Sequence, residues 1–176
     1  MMGEREGGEG MRRLIAMTVL LALCAGIGMM GFALGKREYI VGKDIGFDEV
    51  TEFYYTVAAS TDPPFYQRYH IYMEDGGAFL YHETREGGGW PQTEADITAA
   101  GTVALTDAQA EAFRDCLSGG TVRRRSEDLG DGDDGPWLYL YWNGDGGDIQ
   151  EFDFASWEQR KDFEALCAAI REEADG

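Results

Sequence analysis

From Thr51 onward, apolar and polar positions alternate with a period of two in short runs, and the pattern switches twice to a period near 3.6. Phe53, Tyr55 and Val57 share one side of a strand expected over residues 52–58. The Asp62-Pro63-Pro64 break separates it from a second strand at 66–74. Glu74-Asp75-Gly76-Gly77 then turns the chain into a third at 78–85. Further strands are expected at 97–105, 121–125, 137–142 and 148–154, and helices at 106–118 and 156–174.

Both helices have a defined start. Thr106 with Gln109, and Ser156 with Gln159, match the S/T-x-x-E/Q capping box, in which the two side chains satisfy unpaired amides of the first turn. Counted from the cap, Phe113, Cys116 and Leu117 fall at the same offsets as Phe163, Leu166 and Cys167, and Ile170 extends the second apolar stripe. A strand, a Gly-Gly turn (Gly76-Gly77, Gly146-Gly147) and another strand precede each helix. The expected fold is therefore α+β: one antiparallel β-sheet packed on one face by two α-helices, readable as a duplicated β-β-α unit.

Residues 14–34, beginning at Leu14 and ending at Leu34, contain no charged side chain. At about 1.5 Å per residue a helix of this length crosses a hydrocarbon core of roughly 30 Å. The expectation is a single N-terminal transmembrane helix. Two alternatives stand beside it. One is cleavage after Ala33-Leu34-Gly35, consistent with the signal-like MRRLIAMTVLLALCAG that begins at Met11. The other is lipidation at Cys24, against which Leu23 stands where a small residue is needed. Gly31 and Gly35 spell G-x-x-x-G, read here as ordinary glycine content of a spanning helix. The chain then divides into a glycine-rich charged tail at 1–13, expected to be disordered, the anchor or signal segment at 14–35, a juxtamembrane linker at 36–50 and an α+β domain at 51–176.

Charge settles the expected orientation. Arg12 and Arg13 before the apolar run are balanced by Lys36 and Arg37 after it. Three of the 33 acidic residues and five of the 15 basic ones precede Glu38, so the remainder carries a net charge of −20. An anionic inner leaflet repels such a segment and the membrane potential favours moving it outward. The domain is placed outside the cytoplasm, and its field excludes nucleic acid as a partner despite Arg123-Arg124-Arg125. That run is expected to neutralise the acidic stretch that follows it, or to guard an edge strand.

Catalytic signatures are missing: there is no G-x-S-x-G, HExxH, P-loop, GxGxxG after a strand, or CxxC. No catalytic residue, cofactor or metal is assigned. His70 and His82 lie on adjacent strands, and a two-residue turn sends them to opposite faces. The acidic stretch from Glu127 to Gly135 has the oxygens that calcium favours, but Asp131, Asp133 and Asp134 are out of register for an EF-hand. Cys116 and Cys167 are candidates for a disulfide between the helices. Tyr139, Tyr141 and Trp142, with Tyr72 and Tyr81, are candidate ligand-binding residues on an exposed aromatic sheet face.

The layout resembles that of small cell-envelope proteins of bacteria, on organisation alone. The function expected is a non-catalytic, membrane-anchored binding module for a protein, peptide or glycan. An envelope hydrolase or inhibitor domain, and a calcium-responsive structural protein, are the alternatives. Protease added to intact cells should remove residues 38–176 and leave the anchor in the membrane; a domain digested only after lysis would reverse the orientation.

Overall fold

The period-two runs become strands and the two 3.6-period runs become helices in a computed structural model, which describes residues 38–125, 135–143 and 148–175. The strands are β1 (Glu38–Ile40), β2 (Val50–Ala59), β3 (Phe65–Glu74), β4 (Gly77–Arg85), β5 (Ile97–Ala104), β6 (Thr121–Arg124), β7 (Trp137–Trp142) and β8 (Gln150–Asp153). Helix α1 (Asp107–Leu117) follows β5, and α2 (Trp157–Asp175) follows β8. The expected apolar span at 14–34, the tail before it and the acidic stretch at 126–134 lie outside the described residues. No described helix is long and apolar enough to cross a membrane.

The strands form one antiparallel sheet in the order β1-β6-β8-β7-β2-β3-β4-β5. Strands β2 to β5 are a meander, and β7 docks on the open side of β2 with Leu140 opposite Phe53 and Leu138 opposite Tyr55. The β3–β4 turn has two residues, Asp75 and Gly76, both at positive φ (50° and 80°). This is the backbone of the tight hairpin turn whose twist matches the strands, and glycine adopts it without strain. His70 consequently faces Tyr81 and His82 faces Tyr69, which puts the two histidines on opposite faces as the turn length implies.

Both helices lie on the face that carries Phe53, Tyr55, Leu80, Val122, Leu140 and Phe152, all essentially buried. Phe163 of α2 is the hub, with ring centroids 5.3 Å from Phe53, 5.2 Å from Tyr55, 5.5 Å from Phe154 and 5.6 Å from Phe113 of α1. A polar seam runs beside these rings. Arg160 Nε donates to Glu164 at 3.0 Å and to the Tyr55 hydroxyl at 3.2 Å, and that hydroxyl donates to Glu164. Arg171 donates to the buried Gln67 at 3.0 Å, and Gln67 in turn donates to the Glu83 carbonyl at 2.9 Å.

The α1 cap forms as expected, with Thr106 accepting from the Gln109 amide and Gln109 accepting from Thr106 N at 2.9 Å. At α2 only half the box forms. Ser156 accepts from Gln159 N at 3.2 Å, but the Gln159 carboxamide donates to the Ser118 carbonyl at the end of α1, at 3.0 Å. The Gln159 amide thereby caps the carbonyl that follows the last residue of α1. With Gln109 reaching Glu173 at the other end, the helices are antiparallel.

Three expectations are corrected. Residues 38–50 are not a linker, because Glu38–Ile40 extends the sheet and Val41 and Ile45 are 1% exposed in the core. Strand β6 is not an edge, being covered by β1, so Arg123 guards nothing. It pairs with Asp153 at 3.0 Å and Glu151 at 3.4 Å, and Arg124 pairs with Asp148. The cysteines are free, buried thiols. Burial raises the pKa of both thiols, so each is a protonated, small apolar side chain on its helix's buried stripe.

Phe163→Ala should cost about 3–5 kcal/mol, as for other fully buried rings. Leu166→Ala should cost less, since Leu166 only packs against the outside of the core. Equal midpoints for the two variants in denaturant unfolding would contradict this packing.

Candidate functional site

Side chains of the helix-free face follow from the registers. Three transverse rows cross it from β7 to β5. One reads Tyr139, Tyr54, His70, Tyr81 and Thr102; the next reads Tyr141, Glu52, Tyr72, Phe79 and Ala104; the third reads Trp137, Thr56, Arg68, Glu83 and Ala100. Strand alternation gathers these residues, because one β-strand residue in two points to each side.

Four of the five expected aromatic residues, Tyr72, Tyr81, Tyr139 and Tyr141, lie in these rows. Trp142 does not: it is next to Tyr141 in the strand, alternation turns it to the helix side, and it packs on Tyr39 with centroids 5.5 Å apart. Sequence reasoning did not assign Tyr54, His70, Phe79 and the charged residues to the face. Their signal was the two-residue turn, which by itself fixes Tyr81 opposite His70 and Phe79 opposite Tyr72.

The rings form a ladder. Tyr54 stacks on His70 at 4.0 Å and 8°, His70 lies 5.0 Å from Tyr72, Tyr72 stacks on Phe79 at 5.4 Å, and Tyr141 meets Tyr54 edge-on at 5.9 Å. Glu52 joins it from below. One carboxylate oxygen accepts from the Tyr54 hydroxyl at 2.5 Å and lies 2.9 Å from His70 Nε2, which makes Nε2 the protonated ring nitrogen. Burial, then the adjacent Glu52, pushes the Tyr54 phenol well above its usual range, so it remains a donor. Burial also pulls the His70 imidazole below its ordinary value, against the opposing pull of Glu52.

A second cluster surrounds Glu83, which is 4% exposed. Tyr81 donates to it at 2.6 Å and Arg85 Nε at 2.5 Å. Burial disfavours its charge, but these bonds and the Arg85 and Arg68 guanidiniums prevail and hold the carboxyl below its usual range. Tyr81 is pushed up to about 12 by burial and then by Glu83. A carboxylate this buried depends on its partners, since unpaired it would carry its full desolvation cost.

Beyond the third row the face deepens into a cleft of about 320 Å³. Thr56, Ala58 and Tyr66 line its floor, the Trp90-Pro91-Gln92 loop forms one wall and Trp137 the other. Arg85 sits 4.3 Å over the Tyr66 ring and donates to the Gln92 carbonyl at 3.1 Å, which ties loop to sheet. Arg68 approaches the same ring at 5.5 Å. The volume falls in the range of small-ligand sites, and two indoles, a phenol and a guanidinium provide both apolar walls and fixed donors. Among the described residues, the lining has no carboxylate, imidazole or thiol to act as general base or nucleophile. Among the described residues no three His, Cys, Asp or Glu side chains converge as a metal site requires.

The His70 environment sets a pH dependence. The folded imidazole binds its proton less readily than in the unfolded chain, so its contribution to stability is present above 6.5 and declines as pH falls through the lowered value. Followed by NMR, His70 should titrate below 6.5, and Glu52→Gln should lower it further by removing the group that opposes burial. An upward shift in that variant would contradict the assignment.

Compared with known proteins, the chain matches no family model, no curated protein and no solved structure.

Proposed function

We propose that this chain is a non-catalytic, extracytoplasmic binding module, anchored in the cell membrane through residues 14–34, with the helix-free sheet face as its ligand surface. The observation that carries the reading is the continuous array of tyrosines, His70, Phe79 and Trp137 on a face no described helix covers, ending in the Trp90–Trp137 cleft. Aromatic rings with hydroxyls held by carboxylates offer large apolar area and oriented acceptor oxygens at low entropic cost, as binding surfaces require. The described cleft lining supports binding rather than hydrolysis, because its polar groups can position a ligand and none of the described ones is a general base. A peptide or a glycan is the partner class that such a surface fits.

The paired β-β-α reading belongs to the same proposal. Strands β3 and β4, followed by an insertion that forms β5, precede α1; strands β7 and β8 precede α2; and each helix buries a phenylalanine seven residues after its cap. Duplication of one sheet-covering unit accounts for both helices lying on one face and for the other face being free to bind.

The full chain, kept in mild detergent, should capture ligands from arrays of peptides and cell-surface glycans without converting them. Trp90→Ala and Trp137→Ala should each weaken capture about ten-fold or more while near-ultraviolet circular dichroism stays native. Unchanged capture in both variants would move the site elsewhere, and turnover of a captured ligand would overturn the non-catalytic reading.

A further inference from the structure

Strand β5 ends the sheet on one side; a bulge at Thr98, between the Arg85–Ile97 and Thr84–Ala99 pairs, interrupts its start, and from Ala99 to Ala104 it pairs regularly with no charge, proline or further bulge. The opposite edge, β1, is three residues long and begins with Glu38. Strand β5 runs for eight residues, ITAAGTVA, without a charge or a proline, in a chain that is 27% charged. Leu105 N donates to the Ala78 carbonyl at 2.8 Å, so by antiparallel alternation Val103, Gly101 and Ala99 bond to β4. The amides and carbonyls of Ala100, Thr102 and Ala104 therefore point away from the sheet, on residues that are exposed. Gly101 is small for an inward reason, because a Cβ there would stand 2.9 Å from the buried His82 ring. Ala100, Thr102 and Ala104 are small and exposed, which leaves the ladder open to an approaching backbone.

Charge names the occupant. The uncharged stretch is bracketed by Glu94 and Asp96 before it and Asp107 after it, and the β3–β4 turn with Glu74 and Asp75 lies beside its end. Antiparallel pairing with a second copy would set the acidic start of one β5 against the acidic end of the other, twice, between bodies of net −20 each. An extended segment with a neutral centre and basic ends meets the reverse condition. We propose that β5 is a strand-addition site for an extended cationic polypeptide, paired antiparallel through Ala100, Thr102 and Ala104. It is separate from the cleft and does not depend on it.

The probe is a synthetic peptide of alternating threonine and valine with lysines at both ends, titrated into the full chain by fluorescence anisotropy. Binding should occur, weaken as salt is raised, and be lost when glutamates replace the lysines. Methylating alternate backbone nitrogens should abolish it when the methyls face β5 and spare it when they face outward. Thr102→Pro removes an outward N–H without touching the β4 ladder and should weaken binding about ten-fold. Equal affinity for both methylated peptides or for the glutamate peptide, no binding at all, or self-association of the chain that Thr102→Pro abolishes, would each overturn the proposal.

Discussion

Everything in this fold depends on Phe163 finding its place against Phe53. That contact, with Tyr55, Phe113 and Phe154 around it, joins the last helix, the first helix and the central strand in one cluster of rings at 5.2–5.6 Å. Edge-to-face and tilted geometries there add to the burial of five large side chains. With the cluster formed, one sheet face is sealed and the Tyr55–Arg160–Glu164 seam locks the register of α2 along it. The antiparallel setting of the helices follows, and both thiols stay free in the core between them and the sheet. Burial, and then the charges around them, raises the pKa of both, which keeps them protonated and unreactive.

Sealing one face decides what the other must solve. Half-buried aromatics on a wet surface need their polar ends satisfied, and two carboxylates do this: Glu52 for Tyr54 and His70, Glu83 for Tyr81 and Arg85. Burial, and then the neighbouring carboxylate, raises the pKa of Tyr54 and Tyr81, and each hydroxyl is fixed by donating to its carboxylate. The charge is local and compensated. In a domain of net −20, Arg68 and Arg85 both lie over the Tyr66 ring, at 5.5 Å and 4.3 Å, beside the cleft that Arg85 lines.

The sheet order sets the two surfaces apart. Docking β7 on β2 brings Trp137 to the row of Thr56 and Arg68, and so closes the cleft wall opposite the Trp90 loop. The meander carries β5 to the far edge, where small residues end every row and the backbone rather than the side chains is what a partner would meet.

Much of this was legible in the residues. Period-two alternation in Phe53-Tyr-Tyr-Thr-Val57, two capping signatures and a Gly-containing two-residue turn placed nearly all the elements, because each is a local constraint on backbone angles. The antiparallel sheet with two helices on one face followed from the same patterns, as did a row of tyrosines turned away from Leu138 and Leu140. What only the tertiary structure decided were relations between distant segments. Alternation separates Trp142 from Tyr141, but the helices decide which of the two is covered. Gln159 abandons its own cap because α1 ends nearby. Val41 and Ile45 enter the core because β6 is there to receive β1. The cleft between Trp90 and Trp137 exists because a loop tied to Arg85 meets a strand docked on β2. Local propensity acts over a few residues, whereas these pairings are chosen by burial across the whole sheet, and no stretch of the chain carries that information alone.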